Sequence, residues 1–271
     1  MAADDVTLLE GNATGAPAPE ARRPIGMKAY EGRFSVAYLA LAVIVAGAVI
    51  ALAIVLKEPA KNSGPRWSAW RPSASGLDQA RQIADHVGTR YRAPNGEELV
   101  TNLVTPFEIN QVPLSGIAVR NGTSTRDVQF FDYSFPRNVP YTMCGLGNRC
   151  SIVNGKPSRP RGRLIRREAL ELALYTFKYV REAQSVIAYV PPAPGYQLTN
   201  VIFLRRSELE SALGRPLSST LPGRGPFQPS TPLRDAPALD QMLQEHLFRT
   251  TYTQLPNGSA LVVLTPRELQ S

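Results

Sequence analysis

"LIRREALELALYTFKYVRE", Leu164 to Glu182, is the stretch on which the fold turns. Glu168, Glu171, Tyr175, Lys178 and Glu182 recur at spacings of three and four and form one narrow polar stripe. Between Leu170 and Val180 nearly every other position is apolar, which predicts a helix enclosed on most sides and laid across a sheet. The strands for that sheet lie on both sides of it in the chain. "SGIAVRN" and "RDVQFFDYS" precede it, and "SVIAYV" and "QLTNVIFL" follow. "TTYTQLPNGSALVVLTP", Thr250 to Pro266, reads as a hairpin turning on Asn257-Gly258.

Shorter helices complete the pattern. Leu77, Ala80, Ala84 and Val87 share one helical face, with Asp78, Gln82 and His86 off it. "SELE", Ser207 to Glu210, is a capping box opening a short helix that Gly214 and Pro216 close. Asp235 caps a further one, "DAPALDQMLQEHLF". Residues 76–271 are therefore expected to form one α+β domain, with helices packed on a mainly antiparallel sheet. Leu77-Asp78-Gln79 precedes Pro94-Asn95-Gly96 at the spacing with which Leu239-Asp240-Gln241 precedes Pro256-Asn257-Gly258. Two readings follow: duplicated helix–hairpin units, or convergence on a common Asn-Gly turn.

Upstream, the chain changes character twice. Residues 1–33 are rich in Ala, Gly and Pro without hydrophobic periodicity and read as a disordered tail. Phe34 to Leu56, "FSVAYLALAVIVAGAVIALAIVL", carries no charge and is apolar all round. As a helix it would reach roughly 34 Å, enough for a hydrocarbon core of about 30 Å, so the expectation is a single-pass transmembrane helix. Residues 57–75 form a Pro/Ser-rich linker containing Trp67 and Trp70. These tryptophans either dip into the membrane interface or pack on the domain's first helix. Equal numbers of basic residues flank the span, Arg22, Arg23, Lys28 and Arg33 against Lys57, Lys61, Arg66 and Arg71, so charge does not orient it. The short tail is the easier part to retain, which places the N-terminus inside and the domain outside.

The chemistry on offer is narrow. The chain has 271 residues, a formal charge of +8, two cysteines and two histidines. Arginine greatly outnumbers lysine, a bias common in GC-rich bacteria. Cys144 and Cys150 in "CGLGNRC" lack redox or zinc-ribbon spacing. Outside the cytoplasm they are expected to close a disulfide over a loop eased by Gly145 and Gly147. No nucleophile elbow, P-loop, metalloprotease helix or dinucleotide fingerprint is present, and "GLG" and "GRG" are too short to count. No catalytic residue, cofactor or metal is assigned; Asp127 and Asp132 look like ordinary strand carboxylates. Arg159, Arg161, Arg163, Arg166 and Arg167 make an anion-binding candidate for lipid headgroups or an anionic polymer. Nucleic acid is disfavoured because no aromatics are interleaved with them. The expectation is a membrane-anchored binding or scaffolding domain in the cell envelope, whose partners are the bilayer and an anionic polymer, headgroup or envelope protein. Two rivals stand beside it: a cytosolic-facing domain that contacts nucleic acid or anionic lipid, and an envelope enzyme.

Overall fold

The computed structural model describes residues 41, 44, 45, 47, 66–105, 108–109, 112–121, 127–153 and 157–267. The chain divides into two compact units, Met1–Gly64 and Pro65–Ser271. Of the first unit, Leu41, Ile44, Val45 and Gly47 are helical. The rest of the expected transmembrane stretch, and the expected tail, lie outside the described residues. Among the described residues no helix is long and apolar enough to cross a membrane. The expected fold class is corrected accordingly, to a sheet-rich α+β domain.

Among the described residues that domain holds the α-helices α1 (Gly76–Gly88), α2 (Arg159–Tyr179), α3 (Arg206–Leu213), α4 (Leu217–Thr220) and α5 (Ala236–Leu243). Its strands are β1 (Thr101–Val104), β2 (Glu108–Ile109), β3 (Val112–Arg120), β4 (Val128–Asp132) and β5 (Asn138–Cys144). They continue with β6 (Ser185–Val190), β7 (Asn200–Arg205), β8 (Leu247–Gln254) and β9 (Ala260–Pro266). The nine form one sheet in the order β1-β5-β6-β7-β8-β9-β3-β2, with β4 also pairing β3. Neighbours run antiparallel except β5–β6 and β3–β9.

β6 and β7 sit mid-sheet and are apolar at consecutive positions because both of their faces are covered. Val186, Ala188, Ile202 and Leu204 face the helices and join the larger core with Leu164, Leu172 and Phe177. Ile187, Tyr189, Val201 and Phe203 point the other way, into a second core shared with Ile117, Val262 and Leu264. Among the described residues no helix covers that side. The sheet covers itself, curling until the Phe131 ring at its edge lies 5.6 Å from Phe203. A bulge in β3 between Leu114 and Gly116 supplies part of the bend. A Cβ at Gly116 would lie 3.0 Å from the Phe131 carbonyl oxygen, so a larger residue would crowd this bend.

The repeated Leu-Asp-Gln…Pro-Asn-Gly pattern encodes the same turn but not the same unit. Gly96 and Gly258 have φ of 85° and 83°, and each amide donates to a carbonyl three residues back. Around Gly258 the turn joins β8 and β9, paired from Phe248–Pro266 to Gln254–Ala260. Around Gly96 it closes a single bridge, Arg92–Glu98, and β1 then pairs with β5 instead. Duplication is therefore overturned, and the likeness is convergence on turn chemistry. Two capping expectations also shift. α3 starts earlier than expected, with Glu208 accepting from the Arg205 amide at 2.8 Å. Asp235 sits at the N-cap of α5 without capping it, because its carboxylate is drawn to Arg167.

Cys144 and Cys150 are disulfide-bonded, with Cα atoms 4.4 Å apart. The glycines serve close approach here rather than left-handed backbone. A Cβ on Gly145 would fall 2.1 Å from the Ser151 carbonyl oxygen. The left-handed positions are Arg149 and Cys150, at φ of 53° and 57°. Two such residues in succession are costly for L side chains, so the covalent closure is what holds this loop. Cys144→Ser with Cys150→Ser is expected to lower stability by about 2 kcal/mol, the loop-closure entropy of so short a ring. Urea unfolding of oxidised wild type against the double variant checks it; coincident midpoints would refute a stabilising bond.

Candidate binding cleft

The first three members of the polar stripe, Glu168, Glu171 and Tyr175, do not face solvent, while Lys178 and Glu182 do. Glu168, Glu171 and Arg167 are fully buried, and Arg161 nearly so. Each finds its partners on segments distant in sequence. Arg167 donates from Nε to Asp235 Oδ2 at 2.8 Å, from Nη1 to the Tyr91 hydroxyl at 2.7 Å and from Nη2 to the Pro222 carbonyl at 2.9 Å. Its guanidinium lies 4.0 Å over the Phe227 ring. Glu171 accepts from the Tyr91 hydroxyl at 2.6 Å and from Arg90. Burial pushes the Glu171 carboxyl up, against the pull of Arg90 and Tyr91. Glu168 accepts from Asn102 Nδ2 at 2.7 Å, while its second oxygen has no partner among the described residues. Burial holds its carboxyl well above the ordinary range, only partly offset by the Asn102 hydrogen bond.

The five arginines of the expected anion patch are consequently dispersed. Arg161 and Arg167 point into the protein, with Arg161 donating to the Val153 carbonyl at 2.9 Å. Arg163 and Arg166 converge on Asp240 of α5 at 2.7 and 3.0 Å. Arg159 alone is exposed. The helix that carries them is enclosed, so most of its arginines serve packing and pairing rather than one shared surface.

Above the buried ion set, a cleft of about 440 Å³ opens between three segments. The first is the strap ahead of α1. Its Trp67 carbonyl accepts from the Leu217 amide at 2.7 Å, and the Tyr179 hydroxyl donates to the Trp70 carbonyl at 3.0 Å. Ser68 and Tyr175 hydroxyls meet at 2.6 Å. Trp70 stacks on His86 with ring centroids 3.8 Å apart, and Trp67 meets Tyr175 edge-on at 5.2 Å. Of the two expectations for these tryptophans, the structure realises packing, on α2 as well as α1. The latter half of the expected linker thus belongs to the folded unit. His86, off the apolar face of α1, is half-buried, and burial followed by the charge of Arg90 lowers its pKa to about 4.

The second wall is the end of α1, which brings His86 and Arg90. The third is "GRG", Gly223 to Gly225, dismissed in sequence as too short to signal anything. Gly223 has φ of 105°, and a Cβ on Gly225 would lie 3.0 Å from the Arg90 carbonyl oxygen. Both glycines let this loop lie flat on Arg90 and set Arg224 at the cleft edge. Arg66, Arg90 and Arg224 all line the opening, and no carboxylate does. Neither Arg66 nor Arg224 has an ion-pair partner among the described residues. The buried Trp67 Nε1 also lacks an acceptor among them. No family model, curated protein or solved structure matches this chain. The site therefore has to be read from its own geometry.

The lining of the cleft offers cations, indole and hydroxyl groups, and aromatic faces. Among the described residues no three His, Cys, Asp or Glu side chains cluster so as to hold a metal ion. A smaller cavity of about 240 Å³ at one end of the curled sheet contains Glu208 and His246. There the Glu208 carboxylate is taken by the Arg205 amide and by Arg205 Nε at 2.6 Å.

Proposed function

We propose that this protein is held at a membrane and presents the α+β domain as a binding module for an anionic ligand. The observation that carries the binding role is the cleft with Arg66 and Arg224 at its rim, neither ion-paired among the described residues, beside an Arg90 that Glu171 pairs from beneath. Guanidinium groups beside aromatic walls suit a ligand with a negative group and a carbon-rich body. An extracytoplasmic, cell-envelope setting is favoured by the Cys144–Cys150 disulfide, which persists in oxidising compartments. Against the nucleic-acid rival stands the dispersal of the five arginines it relied on, of which Arg161 and Arg167 are buried.

Trp67 and Trp70 are the only two tryptophans of the chain, so intrinsic fluorescence reports on this cleft alone. Titrating the detergent-solubilised full chain should give a saturable change with organic anions and none with glycerol or choline. A response to choline but to no anion would falsify the anionic reading.

A further inference from the structure

We propose, building on the binding reading above, that the cleft is a phosphate site: it takes a phosphate monoester or diester borne on a polyol or sugar. The first argument is the donor inventory. Arg66, Arg90 and Arg224 can only donate, and so can the unpartnered Trp67 Nε1. Ser68 is already engaged by the Tyr175 hydroxyl and the Trp70 amide, which leaves Ser218 as the main hydroxyl of the lining. A neutral sugar needs acceptors for its own hydroxyl protons, and a cation needs carboxylates; the lining supplies neither in number. A phosphate group, which only accepts, matches these donors, while the few hydroxyls of its carrier can turn to water at the open mouth or to His86.

The second argument is direction. A carboxylate presents two oxygens in one plane, and a single guanidinium fork satisfies it. Here the cations arrive from three separate segments: the strap, the end of α1 and the Gly223–Gly225 loop. Arg90 is tethered from beneath by Glu171, which takes one end of its guanidinium and fixes the rest. A phosphate, with three strong acceptor oxygens pointing apart, can answer several such donors at once. The third argument is size. About 440 Å³ lies within the range of roughly 300–1,000 Å³ typical of small-molecule sites, so an organic carrier fits beside the anion. Trp70 and Leu217 supply surface for its C–H groups.

The phosphate could be carried by a lipid headgroup or by a soluble polyol phosphate, and the test separates them. Tryptophan fluorescence of the full chain in detergent is titrated with glycerol 3-phosphate, glucuronate and glycerol. Glycerol 3-phosphate should saturate the signal, glucuronate should bind at least about tenfold more weakly, and glycerol should do nothing. Arg66→Gln and Arg224→Gln should each weaken phosphate binding by about tenfold, with Arg224→Lys intermediate because it keeps charge but loses the fork. Both residues are exposed, so unchanged circular dichroism and melting are expected and serve as the folding control. Glucuronate binding as tightly as glycerol 3-phosphate would leave the binding cleft standing and overturn the phosphate class. Silence with every anion would overturn both. The full chain is then reconstituted in phosphatidylcholine vesicles with or without phosphatidylglycerol. A shift produced by phosphatidylglycerol that blocks glycerol 3-phosphate identifies a headgroup as the source. Equal glycerol 3-phosphate binding in both vesicles identifies a soluble carrier.

Discussion

Arg167→Met is expected to destabilise the protein by about 3–5 kcal/mol, the cost of removing one partner from a buried ion set. The methionine fills much of the same volume, so the loss is electrostatic rather than a cavity. Asp235, at 2.8 Å from Arg167 Nε, would be left buried with no counter-charge, and the Pro222 carbonyl would lose its donor. Glu171 would keep Arg90 and the Tyr91 hydroxyl, which caps the damage on that side. Arg167→Lys should fall in between, because an ammonium cannot serve Asp235, Tyr91 and Pro222 together from one planar fork. Adding Asp235→Asn to Arg167→Met should restore part of the loss by removing the stranded charge. Urea unfolding of the detergent-solubilised full chain reads all three. A methionine variant within about 1 kcal/mol of wild type would show that the set is not energetically coupled.

Glu168→Gln is expected to stabilise the protein above neutral pH. Burial raises the folded-state pKa of this carboxyl well above its ordinary value. Below that ordinary value folded and unfolded chains are both protonated, and the group costs nothing extra. As pH rises past it, the unfolded chain releases the proton while the folded chain keeps it. Stability then declines by about 1.4 kcal/mol per pH unit until the raised pKa is reached. Glutamine never ionises, and its amide can still accept from Asn102 Nδ2. The variant's stability curve should therefore run flatter than wild type as pH rises above the ordinary carboxyl range, with a gap that widens with pH. Parallel curves would mean that water reaches Glu168.

Both residues sit on the helix that the sequence announced most clearly, yet their roles did not show there. Glu168 and Glu171 at helical spacing look like a solvated stripe, because a stripe facing water and one facing a buried arginine have the same period. Only the partners distinguish them. Those partners lie 66 residues away for Asn102, 68 for Asp235 and 80 for Tyr91. The cleft was hidden for the same reason, since the strap, the end of α1 and the Gly223–Gly225 loop share no local pattern. The one available hint was that two tryptophans stood in a linker otherwise made of Pro, Ser and charge, where solvated aromatics would be wasteful.

What the sequence determined by itself was everything governed by near neighbours. The enclosed helix from its apolar period, strands β6 and β7 from consecutive apolar residues, the β8–β9 hairpin from Asn257-Gly258, and the disulfide from two cysteines around glycines were all legible. Each depends on interactions within a few residues, where φ/ψ preference, side-chain period and turn chemistry act directly. Tertiary structure alone decided the rest: that the sheet curls to cover its own open face, that the two Pro-Asn-Gly turns lead to different pairings, and that Arg161 and Arg167 of α2 turn inward. These are choices among long-range contacts of similar local cost, and they are settled by which arrangement buries apolar surface while leaving the fewest charges without a partner.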